Sequence, residues 1–87
     1  MRHARDAALD RIEEALSALR RQSVLTERKR GVFYHRSRAF LHFHEDGEDL
    51  FADLRAETAW ERRRVTTAGE RRSLLARVRR LLRAPTR

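Results

Sequence analysis

His42 and His44 stand two residues apart. On an extended strand that spacing puts both imidazoles on one side, roughly 6.5–7 Å apart along the chain. Two such rings can share one metal ion, and a carboxylate such as Asp49 can supply a third ligand. The pair followed by Glu48 also echoes the first metal motif of cupins. The later glycine of that motif is missing, however, and 87 residues do not readily build a double-sheet jelly roll. The plainer reading sets His44 against Asp49 as an ordinary cross-strand pair. No nucleophile stands out either. Ser17, Ser23 and Ser73 fall in or beside helical segments, and Ser37 sits in a turn between arginines. Lacking cysteine, a glycine-rich phosphate loop and a paired-carboxylate cleft, the chain is expected to be no enzyme and to need no cofactor.

What these histidines can do depends on the elements that carry them. Leu9, Ile12, Leu16 and Leu19 recur at helical spacing with Ala8 and Ala15 alongside, while Asp6, Asp10, Glu13 and Glu14 fall on the opposite side. That pattern predicts an amphipathic helix from about Ala4 to Gln22. The period then changes. Residues 31–35, 39–44 and 50–55 are short runs rich in aromatic or branched side chains, separated by polar clusters, as in a strand meander. Trp60 to Val65 is a candidate fourth strand. Asp46-Gly47 signals a type I′ hairpin turn, and Arg36-Ser37 is a weaker turn without Gly or Asn. Thr67-x-x-Glu70 is a capping box opening a last helix, in which Leu74, Leu75, Val78, Leu81 and Leu82 share a face and Pro85 marks the end. The expected fold is a single α+β domain over residues 1–87: N-terminal helix, three- or four-stranded antiparallel meander, C-terminal helix. Two layers are expected, with both helices on one sheet face.

A two-residue loop at Asp46-Gly47 pairs Glu45 with Glu48 and sets Phe43 opposite Leu50, Leu41 opposite Ala52 and Ala39 opposite Leu54. A second tight turn at Arg36-Ser37 sets Tyr34 opposite Ala39 and Val32 opposite Leu41. Alternation then assigns Val32, Tyr34, Ala39, Leu41, Phe43, Leu50, Ala52 and Leu54 to the core. The outer face receives Phe33, His35, Arg38, Phe40, His42, His44, Asp49, Phe51, Asp53 and Arg55. Three phenylalanines and three histidines on a solvent face suggest a ligand. Bases of single-stranded nucleic acid stack on such rings while arginines hold phosphates. The competing readings are that the stretch around Trp60 covers the rings, or that two sheets pack in a homodimer.

The net charge of +8 is concentrated: residues 58–87 carry ten arginines against Glu61 and Glu70, and residues 45–57 are net acidic. A basic block attracts an anionic partner without special geometry. Arg72, Arg79, Arg80 and Arg83 lie away from the apolar stripe of the last helix and are the candidate anion contacts. The same surplus also fits a coding bias, because 20 of the 21 basic residues are Arg and Ala occurs twelve times. No apolar run approaches the ~20 residues of a membrane span, and no secretory signal is evident. A cytoplasmic protein without a membrane partner is expected.

Residues 31–46 followed by 50–55, centred on Arg36 to Asp46, resemble a family of small bacterial proteins with no assigned activity. The Val65–Thr67 and Glu70–Leu75 stretches are similar as well. The resemblance implies a genuine domain and carries over no functional residue. The leading expectation is a binding module for nucleic acid or another anion through Phe33, Phe40, His42, His44, Phe51, Arg38 and Arg55. A protein-interaction or homodimer face, and a metal site at His42, His44 and Asp49, are the alternatives.

Overall fold

The computed structural model describes residues 1–83, so the Pro85 helix stop lies outside the described residues. The chain is α+β. It runs β1 (Arg2–His3), α1 (Asp6–Asp10), α2 (Glu13–Arg20), β2 (Leu25–Lys29), β3 (Val32–His35), β4 (Arg38–Asp46), β5 (Asp49–Arg55), β6 (Trp60–Arg64) and α3 (Ala68–Arg83). The antiparallel sheet has the order β2-β3-β4-β5-β6, and β1 pairs with the far end of β4.

The expected first helix is two segments. Arg11 and Ile12 break it, with the Ile12 amide donating to the Leu9 carbonyl three residues back. That tightened turn preserves the apolar stripe, and Leu9, Ile12, Leu16 and Leu19 are all buried. They share one core cluster with Leu74 and Val78 of α3 and with Phe33, Leu41, Phe43, Leu50, Ala52 and Leu54 of the sheet. The strand members of this cluster are linked by the pairs Phe33–Leu41, Leu41–Leu54 and Phe43–Ala52, so they point to one face. α3 opens with the expected capping box: the Glu70 amide donates to Thr67 Oγ1 at 3.1 Å, and the Thr67 amide donates to Glu70 Oε1 at 3.0 Å.

Two turns correct the expected register. In the β4–β5 hairpin Asp46 pairs with Asp49, so the loop is Gly47-Glu48, not Asp46-Gly47. Gly47 takes φ +61° and Glu48 is not in the left-handed region, as in a type II′ turn, where glycine suits the first central position. Phe43 therefore faces Ala52, and Leu41 faces Leu54. The slip is two residues, an even number, so the side assigned to each β4 and β5 residue from Leu41 onward survives.

The β3–β4 hairpin differs more. Arg36 and Ser37 form the expected two-residue turn, both with positive φ, and Tyr34 pairs with Ala39. Beyond that pair the register shifts, because Phe40 is an extra residue: Phe33 pairs with Leu41 and Val32 with His42. A bulge moves one strand by one residue and exchanges its faces. Phe33 and Phe40 are consequently buried beneath the helices, at 1% and 5% exposure, not displayed on the outer sheet face. Val32 and Tyr34, expected in the core, are only half-buried and lie outside it.

β2 carries the sequence Leu-Thr-Glu-Arg-Lys and has no apolar alternation to announce it. It is held by its hairpin with β3 and by Arg30 at the hairpin tip. Arg30 donates to Asp6, Asp10 and Glu13 of the first two helices. Gly31, next to it, has φ +80°, and a Cβ there would stand 2.9 Å from Leu9 Cδ2. The hairpin thus closes directly onto the helix.

Candidate functional site

The sheet face turned from the helical core collects the imidazoles. His42 pairs with Asp53, and β1 brings His3 opposite His44. Their rings form an edge-to-face row: His3 to His44 at 6.3 Å between centroids, His44 to His42 at 4.9 Å, His42 to Trp60 at 5.3 Å. Trp60 comes from β6, which pairs with β5, and it is 43% exposed. The guanidinium carbon of Arg55 stands 4.5 Å from the indole centroid, while Arg55 Nε donates to the Ala39 carbonyl. Arg28 covers Tyr34 in the same way at 4.2 Å.

Asp53 sits within this row. Its two carboxylate oxygens accept from Arg62 Nε and NH2 at 2.7 and 2.9 Å, and Oδ2 also stands 3.1 Å from His44 Nε2. The Arg62 hydrogen bonds hold the Asp53 carboxyl below its ordinary range. His42 is pushed below 6.5 by burial first and by the neighbouring His44 second. His3 is lowered by burial, then by Lys29 and His44. Its Nε2 is buried and has no hydrogen-bond partner among the described residues. Burial thus disfavours the charged form of both imidazoles.

The structure divides the residues named from the sequence. His42, His44, Phe51 and Arg55 share the outer face. Phe33 and Phe40 do not. Asp49 is not the acid beside the histidines: it pairs with Arg64 and accepts from Thr66 Oγ1, and the donor cluster is His42, His44 and Asp53. Arg38 and Phe40 instead line a cleft of about 260 Å³ at the end of the sheet, with His35 and Leu81, and Arg55 reaches this cleft as well. Arg72, Arg79, Arg80 and Arg83 are exposed on α3, whose buried Leu74 and Val78 face the core. They point away from the sheet, so the helical arginines and the ring row do not form one surface.

Ion pairing sorts the arginines further. Arg20, Arg30, Arg62, Arg64, Arg71 and Arg77 each meet at least one carboxylate within ion-pair distance. Among the described residues, Arg28, Arg38 and Arg55 near the sheet face, and the four α3 arginines, meet none. Sequence reasoning missed His3, Tyr34 and Arg62 as members of the site; it placed Asp53 on the outer face without a role there, and raised Trp60 only as a cover for the rings. The fourth-strand pattern at 60–65 was the signal for Trp60; its strand begins there, with the indole on the open side. No known protein family, curated protein or solved structure matches the chain. Among the described residues no helix is long and apolar enough to cross a membrane.

Proposed function

We propose that the protein is a non-enzymatic binding module for single-stranded nucleic acid, using the sheet face that lies opposite both helical segments. The observation that carries this reading is Trp60, a half-open indole packed between His42 and the Arg55 guanidinium. An exposed ring on a sheet offers a stacking platform to any base, and unpaired arginines beside it hold phosphates. Arg55 against the indole and Arg38 in the same sheet-end cleft supply that charge, with Arg28 on the opposite edge strand over Tyr34, while Arg62 pairs with Asp53 in the middle of the face. Phe33 and Phe40 are core residues, so the stacking face and the homodimer alternative each lose two of their three phenylalanines, and the stacking reading rests on Trp60 in their place.

Trp60 is the sole tryptophan, so its fluorescence reports directly on the site. Titration with oligouridylate or oligothymidylate should quench it saturably. Three arginine–phosphate contacts give a log–log salt slope of about −2 for a single strand. No quenching even at low salt would remove the reading.

A further inference from the structure

We propose that His42, His44 and Asp53 form a binding site for a divalent transition-metal ion of the zinc class. The three donor atoms lie within 4.8 Å of one another, contributed by adjacent strands β4 and β5. Around a tetrahedral ion with bonds of about 2.0–2.1 Å, donors stand roughly 3.3–3.5 Å apart. His44 Nε2 and Asp53 Oδ2 are already at 3.1 Å. Closure therefore asks only for small side-chain rotations on a backbone register already in place.

The donor set selects the ion. Two imidazole nitrogens and one carboxylate oxygen suit zinc, nickel, copper or ferrous iron over magnesium or calcium, which take oxygen ligands. Arg62 does not block the site. Its Nε bonds Asp53 Oδ1 at 2.7 Å and its NH2 bonds Oδ2 at 2.9 Å, so Oδ2 exchanges that second contact for the ion while Oδ1 keeps its arginine partner. Such an outer partner fixes the carboxylate plane, as is common around bound metals. When His44 Nε2 takes the ion, its proton moves to Nδ1 or to solvent. His3, with its unpartnered Nε2, stands at the rim beyond the three donors, its ring 6.3 Å from that of His44. Three protein ligands leave one coordination position open.

The test uses cobalt(II) and zinc(II) alone on the full chain, in the absence of nucleic acid, so its outcome is separate from that of the fluorescence titration. Cobalt should bind one-to-one with the visible absorption of a tetrahedral site, and zinc should displace it. Asp53→Asn and His44→Gln should each weaken binding at least about tenfold. Asp49→Asn should leave it unchanged. Absence of saturable cobalt binding, or a loss on Asp49→Asn equal to that on Asp53→Asn, overturns the proposal. Should the site variants fail to fold, cobalt broadening of imidazole resonances in the native protein decides. Broadening at His42 and His44 supports the site, and broadening centred on His35 overturns it.

Discussion

Asp53 is the register partner of His42, yet its Oδ2 meets the diagonal neighbour His44, 3.1 Å from Nε2. The acid thus ties two positions of one strand together and, through Arg62, a third strand as well. This network gives the fold a defined response to acid. Asp53 has a folded-state pKa below its unfolded value, and so do His3, His35 and His42, all three chiefly because burial opposes their charging. In each window the unfolded chain binds more protons, so stability rises with pH. On acidification it should be lost in two stages, first below the unfolded histidine value of about 6.5 and then through the carboxylate range below about 3.9. Urea melts at stepped pH check this: His42→Gln should reduce the first stage, which His3 and His35 share, and Asp53→Asn should reduce the second, which Glu13, Glu27, Glu61 and Glu70 share. Greater stability at pH 5 than at pH 7 would refute the assignment.

Phe40 should behave as a core residue. Phe40→Ala is expected to cost about 3–5 kcal/mol in denaturant unfolding, with Phe33→Ala similar and half-buried Phe51→Ala clearly less. A loss at Phe40 no larger than that at Phe51, with Phe33 larger than both, would place Phe40 back on the surface. A charged residue at Phe40 should unfold the domain, so it cannot report on association.

Trp60 should separate binding from stability. Trp60→Ala is expected to weaken single-stranded oligonucleotide affinity by about 1–3 kcal/mol in an anisotropy assay with a labelled strand. Its unfolding midpoint should change less than that of Phe40→Ala, because the ring is half-open and lies outside the core. A large stability loss with unchanged affinity would make Trp60 a structural cover.

The Arg36-Ser37 turn holds two side chains in the left-handed region, at φ 52° and 65°. L-residues pay roughly 1–2 kcal/mol each for that conformation. Ser37→Gly should therefore raise the unfolding free energy by up to about 1 kcal/mol. Gly31→Ala should lower it, and by more than Gly47→Ala, since only the Gly31 position has Leu9 within 3 Å of an added Cβ. Thermal melts of the three variants would check the order.

The chain's apolar periods determined much by themselves. The stripe Leu9 to Leu19, the capping box at Thr67 and the alternation through Leu41, Phe43, Leu50, Ala52 and Leu54 all named their own elements and inward sides. Those signals are local, and each is read from residues a few positions apart. The two registers open to the β4–β5 hairpin place the same residues inward, so patterning could not separate them, and the acid beside the histidines came out as Asp49 where the fold uses Asp53.

Only the tertiary structure decided the rest. The bulge at Phe40 leaves no compositional mark, and it moved two phenylalanines into the core. β2 exists through hydrogen bonds to its neighbour and an arginine clasp, since its own side chains bury little. Which arginines remain free for a partner depends on where carboxylates from distant segments arrive, as Glu14 does at Arg71. Charge is additive along a sequence, but pairing is a property of distances, and folding alone sets those.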